Sequence, residues 1–157
     1  IYVEVKCHEI FDSHKIKMSK QYWKYLRSEG NCFGLPTKEE GQEISIELSE
    51  FGLKKETSMF DIKQLLCHLL GIRSKKECPK PATLVYLFFK PKTELEKTQN
   101  QVDEVFEMLK EEIITIFNSA PIQKFVVDAN IHLRAIAEYS EVFETLSKNN
   151  IITLAEI

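Results

Sequence analysis

Between Pro81 and Pro91 runs Leu84-Val85-Tyr86-Leu87-Phe88-Phe89, six apolar or aromatic residues in succession, and no other feature restricts the fold as much. Successive side chains of a strand point to opposite faces, so a run without polar alternation needs cover on both sides. That is the position of a central strand in a layered α/β fold. The flanking prolines confine it to residues 82–89. Before it the period changes: Met59, Ile62, Leu65, Leu66, Leu69 and Leu70 recur at three and four residues, predicting a buried helix over residues 58–70 with Ser58 as N-cap and Gly71 as stop. After it, Val102, Val105, Phe106, Leu109, Ile113, Ile116 and Phe117 mark a long amphipathic helix over residues 94–118, closed by Pro121. Phe125-Val126-Val127 reads as one more strand, and strand, long helix, strand predicts a right-handed parallel crossover. From Ala129 to Leu146 the spacing is helical again, with Ser140 as a cap.

Towards the N-terminus, Ile1-Tyr2-Val3-Glu4-Val5-Lys6-Cys7-His8 alternates in the period of a strand. Ile1, Val3, Val5 and Cys7 are expected on the core side, with Tyr2, Glu4, Lys6 and His8 opposite. Residues 19–28 read as a helix ended by Gly30-Asn31, and residues 31–41 as loop. Ile44, Ile46 and Leu48 suggest a short strand at a sheet edge or in an inserted hairpin. The 157 residues, 43% of them hydrophobic, suit one domain. A chain that opens on a strand at Ile1 is expected to have further sequence upstream.

No apolar stretch approaches the roughly 18–20 residues that cross a bilayer, so no membrane contact and a cytoplasmic location are expected. Cys7, Cys32, Cys67 and Cys78 stand at long, irregular intervals, which fits reduced structural thiols better than a disulfide framework or a zinc site. Cys7-His8, Cys67-His68 and His14 are read as structural too, since strand neighbours point to opposite faces and Cys67 falls among apolar helix positions. The net charge is −3, unevenly spread: residues 54–92 hold nine Lys and Arg against three acids, residues 93–157 five against twelve. One face of such a chain can meet a polyanion although the whole is acidic.

Glu4 and Lys6, two apart on a strand, project from one face about 6–7 Å apart, so both can reach one phosphate group. Glu4-Val5-Lys6 on a strand, then the helix over residues 58–70, then the central strand over residues 82–89, resemble the PD-(D/E)XK nuclease superfamily. The likeness covers residues 1–90, with a large insertion between strand and helix. It implies a restriction-endonuclease-like fold, a mixed central sheet flanked by helices, and a DNA endonuclease that uses Mg²⁺, or Mn²⁺ in its place, to hydrolyse phosphodiester bonds. On that likeness Glu4 and the Val5 carbonyl ligate the metal. Lys6 helps to activate water and neutralise transition-state charge. From the helix, Gln64 reaches a metal-bound water or a phosphate oxygen. The superfamily also has a carboxylate on the preceding strand, which leads to the expectation of an Asp upstream of Ile1.

Lys15, Lys17, Lys20, Lys24 and Arg27, interleaved with Tyr22, Trp23 and Tyr25, are candidate DNA contacts, although a helix that buries its aromatics and solvates its lysines has the same pattern. A homodimer would suit double-strand cutting. The alternative is a noncatalytic nuclease-fold or α/β interaction module whose acidic C-terminal helices bind protein.

Overall fold

A computed structural model describes residues 1–6, 12–23, 33–74, 81–90 and 95–136. In chain order the elements are β1 (Tyr2–Lys6), β2 (Ile16–Ser19), β3 (Lys38–Glu40), β4 (Glu43–Ile46), a 3-10 turn (Leu48–Phe51), α1 (Ile62–Ser74), β5 (Ala82–Phe88), α2 (Glu96–Phe117), α3 (Ala120–Asp128) and β6 (Ile131–Ile136). The uninterrupted apolar run becomes β5, and it is central: β1 and β6 pair with it on either side, both parallel. Leu84, Tyr86 and Phe88 point into the core, where Leu65, Leu66 and Leu69 of α1 and Leu109 and Ile116 of α2 are fully buried. His68 of α1 and Phe117 of α2 both meet the Tyr86 ring, so the two helices cover the same face of the sheet. Each buried aliphatic side chain contributes about 1.5–3 kcal/mol, which makes this layer the main source of stability. The result is an α/β architecture with helices packed against a sheet.

Several local expectations change. Among the described residues the sheet divides in two: β1-β5-β6 is wholly parallel, and β2-β4-β3 is a separate antiparallel sheet with β4 in its middle. The hairpin between β3 and β4 turns on Gly41, whose φ of 60° suits the first residue of a two-residue turn. β2 has no counterpart among the elements expected from the sequence. Four residues with Ile16 and Met18 inward are too few to stand out by period.

α1 begins at Ile62, not near Ser58, because Asp61 accepts a hydrogen bond from the Gln64 amide (3.0 Å) and caps it. It runs through Gly71 to Ser74. Phe125-Val126-Val127 is helical and the strand comes later, at Ile131–Ile136. Pro121 explains the shift: it sits in the first turn of α3, where a missing N–H costs nothing, so it starts a helix instead of only stopping one. Asn130, with φ 54°, then turns the chain into β6. The strand–helix–strand order with parallel pairing is kept, with α3 added.

The largest reversal concerns β1. Val3 and Val5 are 40% and 59% exposed, whereas Lys6 is buried and Glu4 partly so. Alternation separates two faces but does not say which one a helix will cover, and α1 covers the polar one. No helix among the described residues is long and apolar enough to cross a membrane.

Candidate active site

The side of β1 under α1 carries Glu4 and Lys6, and α1 answers with Gln64. The Gln64 carboxamide bridges them: its Nε2 donates to Glu4 Oε1 at 2.9 Å, and its Oε1 accepts from the Lys6 ammonium. The reverse amide orientation would set NH₂ against ammonium and carbonyl against carboxylate, so the charges themselves fix which way it points. Lys6 Nζ is also 3.5 Å from Glu4 Oε1. A lysine as buried as this one requires such partners, since an isolated buried charge is strongly unfavourable. Glu4, Lys6 and Gln64 therefore meet at one place, 58 and 60 residues apart in sequence.

Lys6 O accepts a hydrogen bond from Phe89 N (2.8 Å), on the β5 side. Carbonyls alternate along a strand, so that of Val5 points to the opposite edge, which has no paired strand among the described residues. Its side chain is exposed.

His68, read from sequence as structural, belongs to this cluster. Four residues after Gln64 it falls on the same side of α1, with Nε2 3.8 Å from Glu4 Oε2 and Nδ1 2.9 Å from the Tyr86 hydroxyl. Tyr86 stands opposite Glu4 in the parallel register and is fully buried. Burial, and then the Glu4 carboxylate, hold its phenol far above the usual range, so it stays protonated and fixes the imidazole from behind. The i, i+4 spacing of Gln64 and His68 was the available signal. Tyr86 gave none, being one aromatic in an apolar run.

Beside Glu4 and His68 opens a cavity of about 310 Å³, walled by Tyr2, Ile72 and Leu84 and bordered by Gly71. Cys67 also lines it, but burial pushes its thiol above the ordinary value, which suits an inert side chain and not a nucleophile. His14 is elsewhere, its backbone bridged to Ser58. No group of three or more His, Cys, Asp or Glu able to hold a metal occurs among the described residues.

Of the expected DNA contacts, Lys17 lies 3.4 Å from Glu40 and 3.5 Å from Glu43, and Lys20 3.1 Å from Glu39. Hydrogen bonding to Glu40 raises Lys17 above its ordinary pKa, and the same bond lowers Glu40. Three carboxylates thus face two lysines, and contact with DNA would exchange those carboxylates for phosphates. Lys15 is exposed, Trp23 is in the core, and Tyr22 packs against it. Lys24, Tyr25 and Arg27 lie outside the described residues, as do Cys7, His8, Cys32 and Cys78.

A fully buried carboxylate was not expected. Glu112 of α2, its side chain 1% exposed, accepts from Ser58 Oγ and from Phe60 N (2.9 Å) and pairs with Lys55. It fastens the segment that leads into α1. No protein-family model, curated protein or solved structure matches the chain.

Proposed function

We propose that the chain is a restriction-endonuclease-like domain of the PD-(D/E)XK superfamily, and that Glu4, Lys6 and Gln64 form the site of a metal-dependent hydrolase of DNA phosphodiester bonds. One observation carries this reading: a strand carboxylate and a strand lysine two residues apart are joined by an amide from the next helix, at the border of a cavity. An ordinary surface pair would have neither the burial of Lys6 nor the bridge.

The donors suit a hard cation in kind. Mg²⁺ is commonly held by one or two carboxylates and completed by water and phosphate oxygens, and Glu4 with the Val5 carbonyl offers two oxygens of the right type. His68 adds a nitrogen beside Glu4, which favours Mn²⁺ relative to Mg²⁺. Such an ion, when bound, supplies Lewis-acid polarisation of the phosphate and a more acidic water. The chain's own residues do the rest. Lys6 presents a positive charge in a partly desolvated place, where it offsets negative charge developing on the phosphoryl oxygens as a water oxygen bonds to phosphorus and the P–O bond to the leaving group breaks. Gln64 keeps Lys6 and Glu4 at fixed separation, so little reorganisation accompanies the reaction.

A protein-binding role for the acidic half draws on α2, which exposes Met108 (56%) beside Glu104, Glu107 and Glu111. Plasmid nicking separates the two. The wild-type chain is expected to relax supercoiled DNA only with Mg²⁺ or Mn²⁺, and Lys6→Ala to lower the rate by about 10²–10³-fold. Equal rates would remove Lys6 from the mechanism. No nicking under any metal condition would favour the interaction module.

A further inference from the structure

We propose that the cavity beside Glu4 and His68 receives an unpaired nucleobase of the strand being cut, so that the enzyme acts on single-stranded or locally opened DNA. This rests on the phosphodiesterase reading and adds the form of its substrate. Along β1 the order is Lys6, Glu4, Tyr2, and the cavity lies at the Tyr2 end. Two residues of strand span about 6.6 Å, the scale of the phosphate-to-base spacing within one nucleotide. A phosphate held at Glu4 and Lys6 therefore brings its own base, or the neighbouring one, to the cavity mouth.

The walls suit a base. Tyr2, Ile72 and Leu84 offer aromatic and aliphatic surface for a flat ring, and polar groups gather at the end where Glu4 and His68 stand. About 310 Å³ is the lower end of the range of small-ligand pockets, large enough for one ring system. Gly71 completes the recess: a Cβ built there meets nothing within 4 Å, so the space in front of it is open. A base stacked in a duplex cannot enter such a recess without leaving its partner, which is the physical origin of the preference.

The recess can be filled from its own rim. A single-stranded deoxyoligonucleotide carrying one 2-aminopurine, mixed with the full chain in EDTA, should change emission on binding. Gly71→Ala should weaken that binding moderately and Gly71→Leu by about tenfold or more, the scale of losing one base contact. Because Gly71→Leu can impair folding, the wild-type chain is also given the same strand with abasic sites in place of bases, and this too should bind about tenfold more weakly. With Mn²⁺ the wild-type chain should cut the single strand at least tenfold faster than the corresponding duplex. Equal binding of abasic and base-bearing strands, or Gly71→Leu that folds and binds as wild type, would overturn the pocket. Base-dependent binding without cleavage would sink the hydrolytic reading and leave the pocket standing. Cleavage indifferent to strandedness and to Gly71→Leu would do the reverse.

Discussion

Glu4 and Glu112 are both drawn into the protein, and each is held by a lysine and a second polar side chain, yet they differ in what remains available. Glu112 has both oxygens occupied, by Ser58, the Phe60 amide and Lys55, and its side chain is 1% exposed. Glu4 is 27% exposed. Its Oε1 is engaged by Gln64 and Lys6, while Oε2 stands 3.8 Å from His68 at the border of a cavity. A carboxylate saturated by donors within the chain is a fastening. One that keeps an oxygen towards open space, beside a lysine held by an amide bridge, can take a ligand. The contrast separates stability from function more clearly than burial alone.

Mutations that exchange the two behaviours test it. Glu112→Ala strands Lys55, Ser58 Oγ and the Phe60 amide, and should lower unfolding free energy in urea by about 3–5 kcal/mol. Any DNA cleavage by the residual folded protein should keep its metal dependence. Gln64→Leu should act the other way. It removes the bridge at modest cost in stability, about 1–2 kcal/mol, and should lower cleavage by about ten- to a hundredfold, read as kcat and not KM.

Tyr86→Phe gives the smallest effect at neutral pH, about 1 kcal/mol for the lost bond to His68. Its signature is in alkali. Burial and the nearby Glu4 carboxylate raise the folded-state pKa of Tyr86 above its ordinary 10.0, so the folded chain holds the proton more tightly than the unfolded one. The stability this contributes is complete below about pH 10 and is lost as pH rises past it. Urea melts at about pH 8 and about pH 10.5 should therefore show an alkaline decline in wild type that Tyr86→Phe reduces.

The architecture was legible where the chain leaves one option. Six apolar residues between prolines had to be central, and the helical spacing of Leu65, Leu66 and Leu69 had to face that strand. Glu4, Lys6 and Gln64 were legible as types at the right intervals, although the bridge that joins them was not, since spacing says nothing of which sheet face a helix covers. That is why Val3 and Val5 were expected inside and lie outside. Glu112 resembles Glu104, Glu107 and Glu111 in composition, but it stands three residues after Leu109 and four before Ile116, on the apolar side of α2. A lone acid at a core position of an amphipathic helix signals a buried pair, and that signal was present. Residues 120–136 misled because Pro121 can end one helix or open the next, and only packing decides which.

Glu4→Gln tests the central claim most directly, with unfolding and cleavage measured on one preparation. The geometry requires stability within about 1 kcal/mol of wild type, because the amide can still accept from Gln64 and Lys6, together with at least a hundredfold loss of Mg²⁺- or Mn²⁺-dependent cleavage. Cleavage at the wild-type rate would contradict it, as would a loss of stability equal to that of Glu112→Ala.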